Sequence, residues 1–301
     1  MSKVLVTGGA GFIGSAVIKH LSGLDHEIFV IDNLSFGNRD FIDINDSKFF
    51  EIDILDTVKV DQVIGQIKPE IIIHLAAIHF IPYCNAHPYE SANINIAGTI
   101  NILNAAEKHK AQKVFFASTA AVYPIYDEAV SEKNATGPLD IYGLSKLTGE
   151  HLCNEFHLRS GITTIVCRFF NAFGPNETNP HLIPEIQKQV LGGNRVINLG
   201  NLTPKRDFIH TYDMASAVET LLNNMNSGID TYNLGRGIEY AVTEIVDSFS
   251  NALGDSIEIK VDQARVRKVE RMHLLADVTK LKSLGWEPKI GIDEGIKTLV
   301  G

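Results

Sequence analysis

The sequence begins with a short apolar run, which is followed by the glycine-rich stretch Thr7-Gly8-Gly9-Ala10-Gly11-Phe12-Ile13-Gly14. Its glycines at 8, 11 and 14 have the spacing G-x-x-G-x-x-G. In such a stretch the first glycine allows a tight turn, the second lets the backbone approach a pyrophosphate, and the third lets helix and strand pack closely. The pyrophosphate then lies at the positive end of the following helix. The stretch therefore predicts a dinucleotide-binding site near the N-terminus.

Around this stretch, the first half of the chain alternates short apolar runs with helical patterns. The runs are rich in branched residues and almost wholly apolar, which is typical of strands buried on both faces of a parallel sheet. Repeated strand–helix alternation predicts an α/β fold with a Rossmann-like, doubly wound parallel sheet. The predicted strands are residues 3–6, 27–31, 49–52, 71–75, 113–117 and 163–168, and the predicted helices are residues 12–22, 58–67, 91–108 and 142–160.

After about Phe173 this rhythm breaks, and Gly and Pro punctuate shorter segments with helical patterns near 212–224, 242–253 and 278–284. We therefore predict a dinucleotide-binding domain over residues 1–172, to which some later segments return. Residues 173–301 are predicted to form a smaller α/β lobe, interleaved with that domain, which binds the substrate.

The bulk properties exclude several classes of partner. The chain has 301 residues, 45% hydrophobic and 21% charged, with a formal net charge of -9. An acidic protein is a poor general ligand for nucleic acid or for an anionic membrane. No apolar run approaches the roughly 20 residues that span a bilayer, and no signal peptide precedes the first strand. Three scattered cysteines suggest neither disulfides nor a zinc site, so we expect a cytoplasmic protein without a metal.

Asp32 ends the second predicted strand and favours NAD over NADP. A carboxylate at that position suits the two free ribose hydroxyls of NAD and repels the 2′-phosphate of NADP. No arginine stands beside Asp32 to compensate. Asp53 ends the third strand and is the expected contact to the adenine.

Tyr142 and Lys146 stand at i and i+4 at the start of a helix, so both project from one face. A phenol has a pKa near 10 and is a poor base at neutral pH, but a neighbouring ammonium and a positive nicotinamide both favour the phenolate. The pair gains weight because it follows the fifth strand by one loop. Hydroxyls at the carboxyl end of that strand point into the cofactor crevice, so Thr119 is a hydrogen-bond partner for Tyr142 and the reacting oxygen.

With these residues, the chain resembles the extended short-chain dehydrogenases/reductases of the NAD-dependent epimerase/dehydratase family, and within it the UDP-glucose 4-epimerase-like members. The resemblance runs from Val4 to about Leu299. Beyond the glycine stretch and the Tyr–Lys pair, it is carried by His74-Leu75-Ala76-Ala77, Asn95-Ile96-Ala97-Gly98-Thr99, Arg168-Phe169-Phe170-Asn171, Arg206-Asp207-Phe208-Ile209-His210 and Leu284-Gly285-Trp286-Glu287-Pro288.

The resemblance implies that Thr119, Tyr142 and Lys146 are the family's catalytic triad, that NAD is the cofactor and that a nucleotide-diphosphate sugar is the substrate. It also implies a homodimer formed through the helices at 91–108 and 142–160. The implied NAD contacts are Gly8, Gly11, Phe12, Ile13, Gly14, Asp32, Asn33, Asp53, Ile54, Leu75, Ala76, Ala77, Asn95, Ser118, Tyr142, Lys146 and Phe169. The implied substrate contacts are His79, Thr119, Asn171, His181, Leu182, Arg206, Arg267 and Leu274.

Two arginines explain how an acidic protein holds an anionic substrate. By the resemblance, Arg206 binds the diphosphate, and Arg267, nine residues before Ala276, takes the role of the family's second arginine. Each guanidinium can fork two phosphate oxygens. The segment Arg168-Phe169-Phe170-Asn171 is expected to line the nicotinamide and the substrate phosphates. Leu274 lies where relatives carry a residue that gates the substituent on sugar C2.

The residues after Thr119 distinguish between the reactions that members of this family catalyse. Family dehydratases carry an acidic pair there and decarboxylases a glutamate, whereas this chain has Ala120 and Ala121. Without those acid/base groups, the simplest cycle is oxidation to a 4-keto sugar, rotation and return of hydride to the other face. C4 epimerisation is thus the leading hypothesis, and the alternatives are a dehydratase or a keto-sugar reductase. A non-catalytic NAD-binding scaffold would have no need of Tyr142, Lys146 or paired arginines.

Overall fold

A seven-stranded parallel sheet forms the centre of the protein. The computed structural model describes residues 1–266 and 271–301. The sheet has the order β3-β2-β1-β4-β5-β6-β10. Its strands are β1 (Ser2–Thr7), β2 (His26–Asp32), β3 (Phe49–Glu51), β4 (Ile71–His74), β5 (Lys113–Thr119), β6 (Thr163–Phe169) and β10 (Ile229–Leu234).

Helices cover both faces of this sheet, and two separate apolar clusters fill the spaces beneath them. On one face α1 packs against α8, and on the other α2 and α6 pack against α5. These helices bury the strands on both sides, which is why β6 is buried along its whole length. They are α1 (Phe12–Leu21), α2 (Thr57–Ile67), α5 (Thr99–Lys108), α6 (Ile141–Ser160) and α8 (Thr211–Asn224).

The strand order reverses beside β1, which lies between β2 and β4. In doubly wound sheets the crevice outside the carboxyl ends of the strands at such a switch point binds the ligand. The predicted Rossmann-like α/β fold is confirmed by this topology, and the glycine stretch lies directly after the strand at the switch.

The smaller C-terminal lobe contains a three-stranded sheet, β11-β9-β7, and a two-stranded sheet, β12-β8. A third apolar cluster joins these strands to three helices. The predicted division between residues 172 and 173 lies inside β7 and stays a prediction, while β10 belongs to the central sheet. The elements are β7 (Asn171–Phe173), β8 (Val196–Leu199), β9 (Lys205–His210), β11 (Glu239–Ala241), β12 (Glu258–Val261), α7 (Leu182–Leu191), α9 (Val242–Leu253) and α11 (Ile292–Val300).

The predicted helix at 91–108 is wrong in its bounds. The structure has α3 (Ile81–Ala86), α4 (Pro88–Ala92), a wider π-helical turn (Asn93–Gly98) and then α5. Pro82 and Pro88 each stand in the first turn of a helix, where proline's missing N–H costs nothing, so they restart the helix. The pattern at 278–284 contracts to α10 (Thr279–Lys282). No helix within the described residues is long and apolar enough to cross a membrane.

A buried ion pair ties α6 to the central sheet. Arg168 on β6 donates to both carboxylate oxygens of Glu150 on α6, at 2.9 and 2.7 Å. Ser118 on β5 also donates to Glu150, and Tyr123 accepts from Arg168 at 2.8 Å while donating to Asn233 on β10 at 2.7 Å. The carboxylate thus accepts three hydrogen bonds and the guanidinium donates to two different side chains, which is what makes a buried pair tolerable.

We expect Glu150→Gln to lower the free energy of unfolding by about 3–5 kcal/mol, because it leaves the Arg168 charge buried without a carboxylate. Urea unfolding at neutral pH, followed by the fluorescence of Trp286, measures this. The control is Glu155→Gln on the same helix, which breaks an exposed pair with Arg159 and should cost about 1 kcal/mol or less. Equal small losses in the two variants would contradict the prediction.

Candidate active site

One large cleft runs along the carboxyl ends of the central strands and under the C-terminal lobe. Its volume is about 1160 Å³, and single-ligand pockets usually fall between about 300 and 1,000 Å³. The glycine stretch lies at one end, and side chains from β9, β11 and α7 close the other. The cleft is therefore large enough for a dinucleotide and a second ligand side by side.

The glycine loop fits a pyrophosphate. Gly8 has a φ of +72°, and a Cβ added to it would lie 2.7 Å from the backbone nitrogen of Ala76, in the loop after the neighbouring strand β4. A Cβ on Gly14 would lie 2.1 Å from the carbonyl oxygen of Gly8. Helix α1 begins after Gly11 with no side-chain cap, so the N–H groups of its first turn are free for a ligand in the cleft.

Asp32 lies at the floor of the same end of the cleft. Its two carboxylate oxygens accept hydrogen bonds from the N–H groups of Ala10 at 2.9 Å and Leu34 at 2.8 Å. Burial raises the pKa of Asp32, and these two backbone hydrogen bonds act in the opposite direction. A carboxylate offers about four acceptor sites, so two remain for the hydroxyls of a ribose.

Most of the other predicted cofactor contacts also line the cleft. Asn33 donates to Asp53 at 3.0 Å, which places the two polar side chains together at the adenosine end. The remaining members on the cleft wall are Gly11, Phe12, Ile13, Ile54, Leu75, Ala76, Ala77, Ser118, Tyr142, Lys146 and Phe169.

Asn95 is the exception, because it lies behind the wall. Its side chain is 1% exposed and exchanges two hydrogen bonds with the backbone of Ile78, at 2.8 and 2.9 Å. It also donates to Ser145 on α6 at 3.0 Å. Asn95 thus has its amide group satisfied by protein and holds the loop after β4 against α6.

The predicted triad comes together at the middle of the cleft. Thr119 ends β5, and its hydroxyl accepts from the N–H of Ala121 at 3.1 Å and lies beside the phenol of Tyr142. Asp140 caps α6 by accepting from the N–H of Gly143 at 2.7 Å, which fixes where Tyr142 projects. Lys146, one turn later, is 2% exposed and lies over the Phe116 ring with its Nζ 4.1 Å from the centroid.

Burial dominates the electrostatics of Tyr142. It raises the pKa of the phenol, whereas the neighbouring Thr119 hydroxyl lowers it. The expectation that Lys146 and a positive nicotinamide together favour the phenolate stays a prediction. Burial also lowers the pKa of Lys146 to about 8, so its ammonium is a weaker countercharge than an exposed lysine.

The described part of the chain places Arg206 in the cleft, whereas Arg267 lies outside the described residues. Arg206 donates to the carbonyl oxygen of Arg271 at 2.8 Å, and Arg271 itself lines the cleft. Sequence reasoning missed Arg271, which no family motif marks. The expectation for Arg168 is wrong, since its guanidinium is paired with Glu150 and only the three residues after it reach the cleft wall.

Three ionisable side chains form a cluster on the cleft wall. The rings of His79 and His181 are stacked with centroids 5.8 Å apart, and Glu177 lies beside them. Burial lowers the pKa of His79 to about 4 and raises the pKa of Glu177 to about 7. Sequence reasoning named both histidines but missed Glu177, although its i, i+4 spacing to His181 was visible. The other predicted substrate contacts on the wall are Asn171, Leu182 and Leu274.

Comparison with known proteins gives one consistent result. Residues 4–235 match the model of the NAD dependent epimerase/dehydratase family. The chain is 33% identical to a putative UDP-glucose 4-epimerase of Methanocaldococcus jannaschii, over 99% of this chain and 97% of that protein. Among solved structures, it is similar to UDP-glucose 4-epimerase from Brucella ovis in complex with NAD (TM-score 0.92, 30% identity, covering 100% and 98% of the two chains). It is also similar to the Thermotoga maritima enzyme with UDP-glucose (TM-score 0.90, 27% identity, 99% and 97%).

We expect the protein to bind NAD about tenfold or more tightly than NADP, because the Asp32 carboxylate repels a 2′-phosphate. Asp32→Asn should narrow this preference while keeping the volume of the side chain. Isothermal titration of both cofactors at two salt concentrations measures it, with Asp247→Asn on the exposed face of α9 as the control. Equal affinities for NAD and NADP in the wild type would contradict the role of Asp32.

Proposed function

Because the chain belongs to the NAD-dependent epimerase/dehydratase family, we propose that it inverts C4 of a UDP-hexose or a related nucleotide sugar through a transient 4-keto intermediate. The observation that carries this proposal is the meeting of Thr119, Tyr142 and Lys146 in one cleft with the glycine loop. The loop fits a dinucleotide, and the triad stands where a sugar hydroxyl can reach both the phenol and the cofactor.

The residues present fit NAD. Gly8, Gly11 and Gly14 leave room for a pyrophosphate against the backbone, and the first turn of α1 offers it free N–H groups. Asp32 would hold the adenosine ribose, and Phe169 with Ser118 would lie against the nicotinamide half. When bound, NAD accepts a hydride from the sugar carbon and later returns it.

Tyr142 moves the proton. In its phenolate form it takes the proton of the sugar 4-hydroxyl as C4 is oxidised, and the phenol so formed gives the proton back when the 4-keto sugar is reduced. Thr119 orients the phenol and can share the hydrogen bond to the reacting oxygen. The buried ammonium of Lys146 places a positive charge near the site. Its pKa of about 8 means that Lys146 loses this charge only slightly above neutral pH. A cationic nicotinamide would add the charge that favours the phenolate.

The nucleotide end must stay bound while the sugar turns over. Arg206 lies in the part of the cleft under the C-terminal lobe, and we propose that it holds the diphosphate together with Arg267. Arg265 and Arg271 also line the cleft, and the half-buried Arg271 donates to the carbonyl oxygen of Pro124 at 3.4 Å. A diphosphate anchored in this way leaves the sugar free to present either face of C4.

Ala120 and Ala121 favour epimerisation over dehydration. Both line the cleft immediately after Thr119 and carry no group that can donate or accept a proton. Asp140 is engaged in capping α6. The relatives named above are UDP-glucose 4-epimerases, which supports a UDP-hexose as the substrate. Leu274 on the wall is proposed to face C2, where its bulk disfavours an N-acetyl group.

Exposed apolar side chains on neighbouring helices support a homodimer. Leu144 and Leu158 on α6 are 52% and 76% exposed, and Tyr89 on α4 is 84% exposed. Helix α4 and helix α6 pack against each other, so these side chains belong to adjoining parts of one surface. A second copy of the chain would bury them. We propose that this dimer acts in the cytoplasm.

We expect UDP-glucose deuterated at C4 to give a C4-inverted product that keeps the label. A hydride transferred between two carbon atoms does not exchange with water, and no group at residues 120 and 121 diverts the 4-keto sugar. Mass spectrometry and proton NMR of the product, with the absence of released NADH, measure this.

The matched experiment runs unlabelled substrate in deuterium oxide. Solvent deuterium at C5, or a product that has lost water, would show a C5 epimerase or a dehydratase and would overturn the proposed reaction. Loss of the C4 label to solvent would also contradict it.

We expect Tyr142→Phe to lower kcat by about 10²–10⁴-fold, because a positioned proton-transfer group contributes that much. Binding of NAD should stay close to that of the wild type. The control is Tyr212→Phe, whose hydroxyl accepts from Lys19 away from the cleft and should not affect kcat. Steady-state rates and cofactor titrations compare the two variants. Full activity in Tyr142→Phe would remove the proposed base.

A further inference from the structure

Two distant segments bring three metal-type ligands together on the cleft wall. His79 follows β4, whereas Glu177 and His181 belong to the segment between β7 and α7. One ligand atom of each residue, an imidazole nitrogen or a carboxylate oxygen, lies within 4.8 Å of the other two. All three side chains also line the cleft.

We propose that His79, Glu177 and His181 form a binding site for a divalent transition-metal ion. Two imidazoles and one carboxylate are a ligand set that Zn²⁺ and related ions use when a further position is left open. Metal–ligand bonds of about 2.0–2.2 Å place the donor atoms about 3–3.5 Å apart, so the cluster must contract slightly on binding. Glu177 and His181 lie four residues apart in the segment just before α7. A small movement of this one segment can therefore bring both side chains closer to His79.

Asn179 supports this assignment. It is 6% exposed, and it donates its backbone N–H to Glu177 at 2.9 Å and its side-chain amide to Nε2 of His79 at 3.2 Å. The amide can only donate there, so Nε2 of His79 carries a lone pair, as a metal ligand requires. Asn179 thus donates to lone pairs of two of the three ligands, Glu177 and His79. A cation can replace the side-chain amide of Asn179 at Nε2 of His79.

The charge balance points the same way. Within the described ranges no lysine or arginine lies within ion-pair distance of Glu177, although the carboxylate is partly buried. A divalent ion would supply the missing positive charge. The positive charge of Lys146 opposes the binding of a cation. It is, however, the weakest of the three causes that lower the pKa of His79, after burial and the charge of His181. The sequence had suggested no metal, and the proposal does not depend on the proposed function.

Arg206 and Tyr240 line the same cleft as the three ligands. Coordination positions that the protein leaves vacant would face this space, where water or an oxygen of a bound diphosphate sugar can complete them.

The test uses the full chain, freed of metal by chelation and titrated with Zn²⁺ and with Co²⁺. We expect one ion per chain by elemental analysis and visible Co²⁺ absorption bands that indicate nitrogen and oxygen ligands. Glu177→Gln and His181→Gln should each weaken binding by about 100-fold or more, because the loss of an outer-shell partner alone costs about 10–100-fold. His151→Gln, an exposed histidine outside the cleft, is the matched control and should bind as the wild type does.

Thermal unfolding and NAD binding show that each variant is folded. Since two variants remove different ligands, a folding defect in one leaves the other as the test. No binding of Zn²⁺ or Co²⁺ by the wild type, or equal binding by all variants, would overturn the proposal. Binding is measured without turnover, so a failure of the proposed epimerase reaction would leave this result unaffected.

Discussion

The close approach of two backbones at the switch point is the constraint on which the rest of the structure depends. Gly8 turns with a positive φ directly after β1, against the backbone of Ala76 after β4, and no side chain has room there. This contact sets α1 on the sheet with its first turn facing the cleft. Because β4 and β5 follow β1 in the sheet, the same contact places their carboxyl ends beside the pyrophosphate position.

Helix α6 brings the chemical groups to that position, and its own anchoring is electrostatic. Its first turn is capped by Asp140 and carries Tyr142, its second turn buries Lys146 over Phe116, and its third holds Glu150 against Arg168. Three successive turns thus combine a cap, a buried lysine and a buried ion pair. The burial that fixes the helix also shifts the pKa of Tyr142 and Lys146, so positioning and reactivity have one cause.

An acidic protein can hold anionic ligands because its favourable groups are local. The net charge is -9, yet the cleft gathers the first turn of α1, Arg206 and Arg271 around the places where phosphates would lie. Against them stands the cluster of His79, Glu177 and His181 at another part of the wall. The cleft thus contains positively charged groups as well as groups that can coordinate a cation. The proposed phosphate and cation sites would therefore lie in one cleft.

The sequence by itself determined the doubly wound fold, the glycine loop, Asp32 and the pairing of Tyr142 with Lys146, because each depends on spacing within one strand, turn or helix. The other placements depend on tertiary packing. Arg168 pairs with Glu150 instead of lining the cleft, and Asn95 lies behind the cleft wall. Arg271 lines the cleft, and Asn179 hydrogen-bonds to His79, which is 100 residues away in the sequence. Such placements depend on the packing of distant segments, in which burial and hydrogen bonding select one partner for each polar group, and local spacing contains no information about that selection.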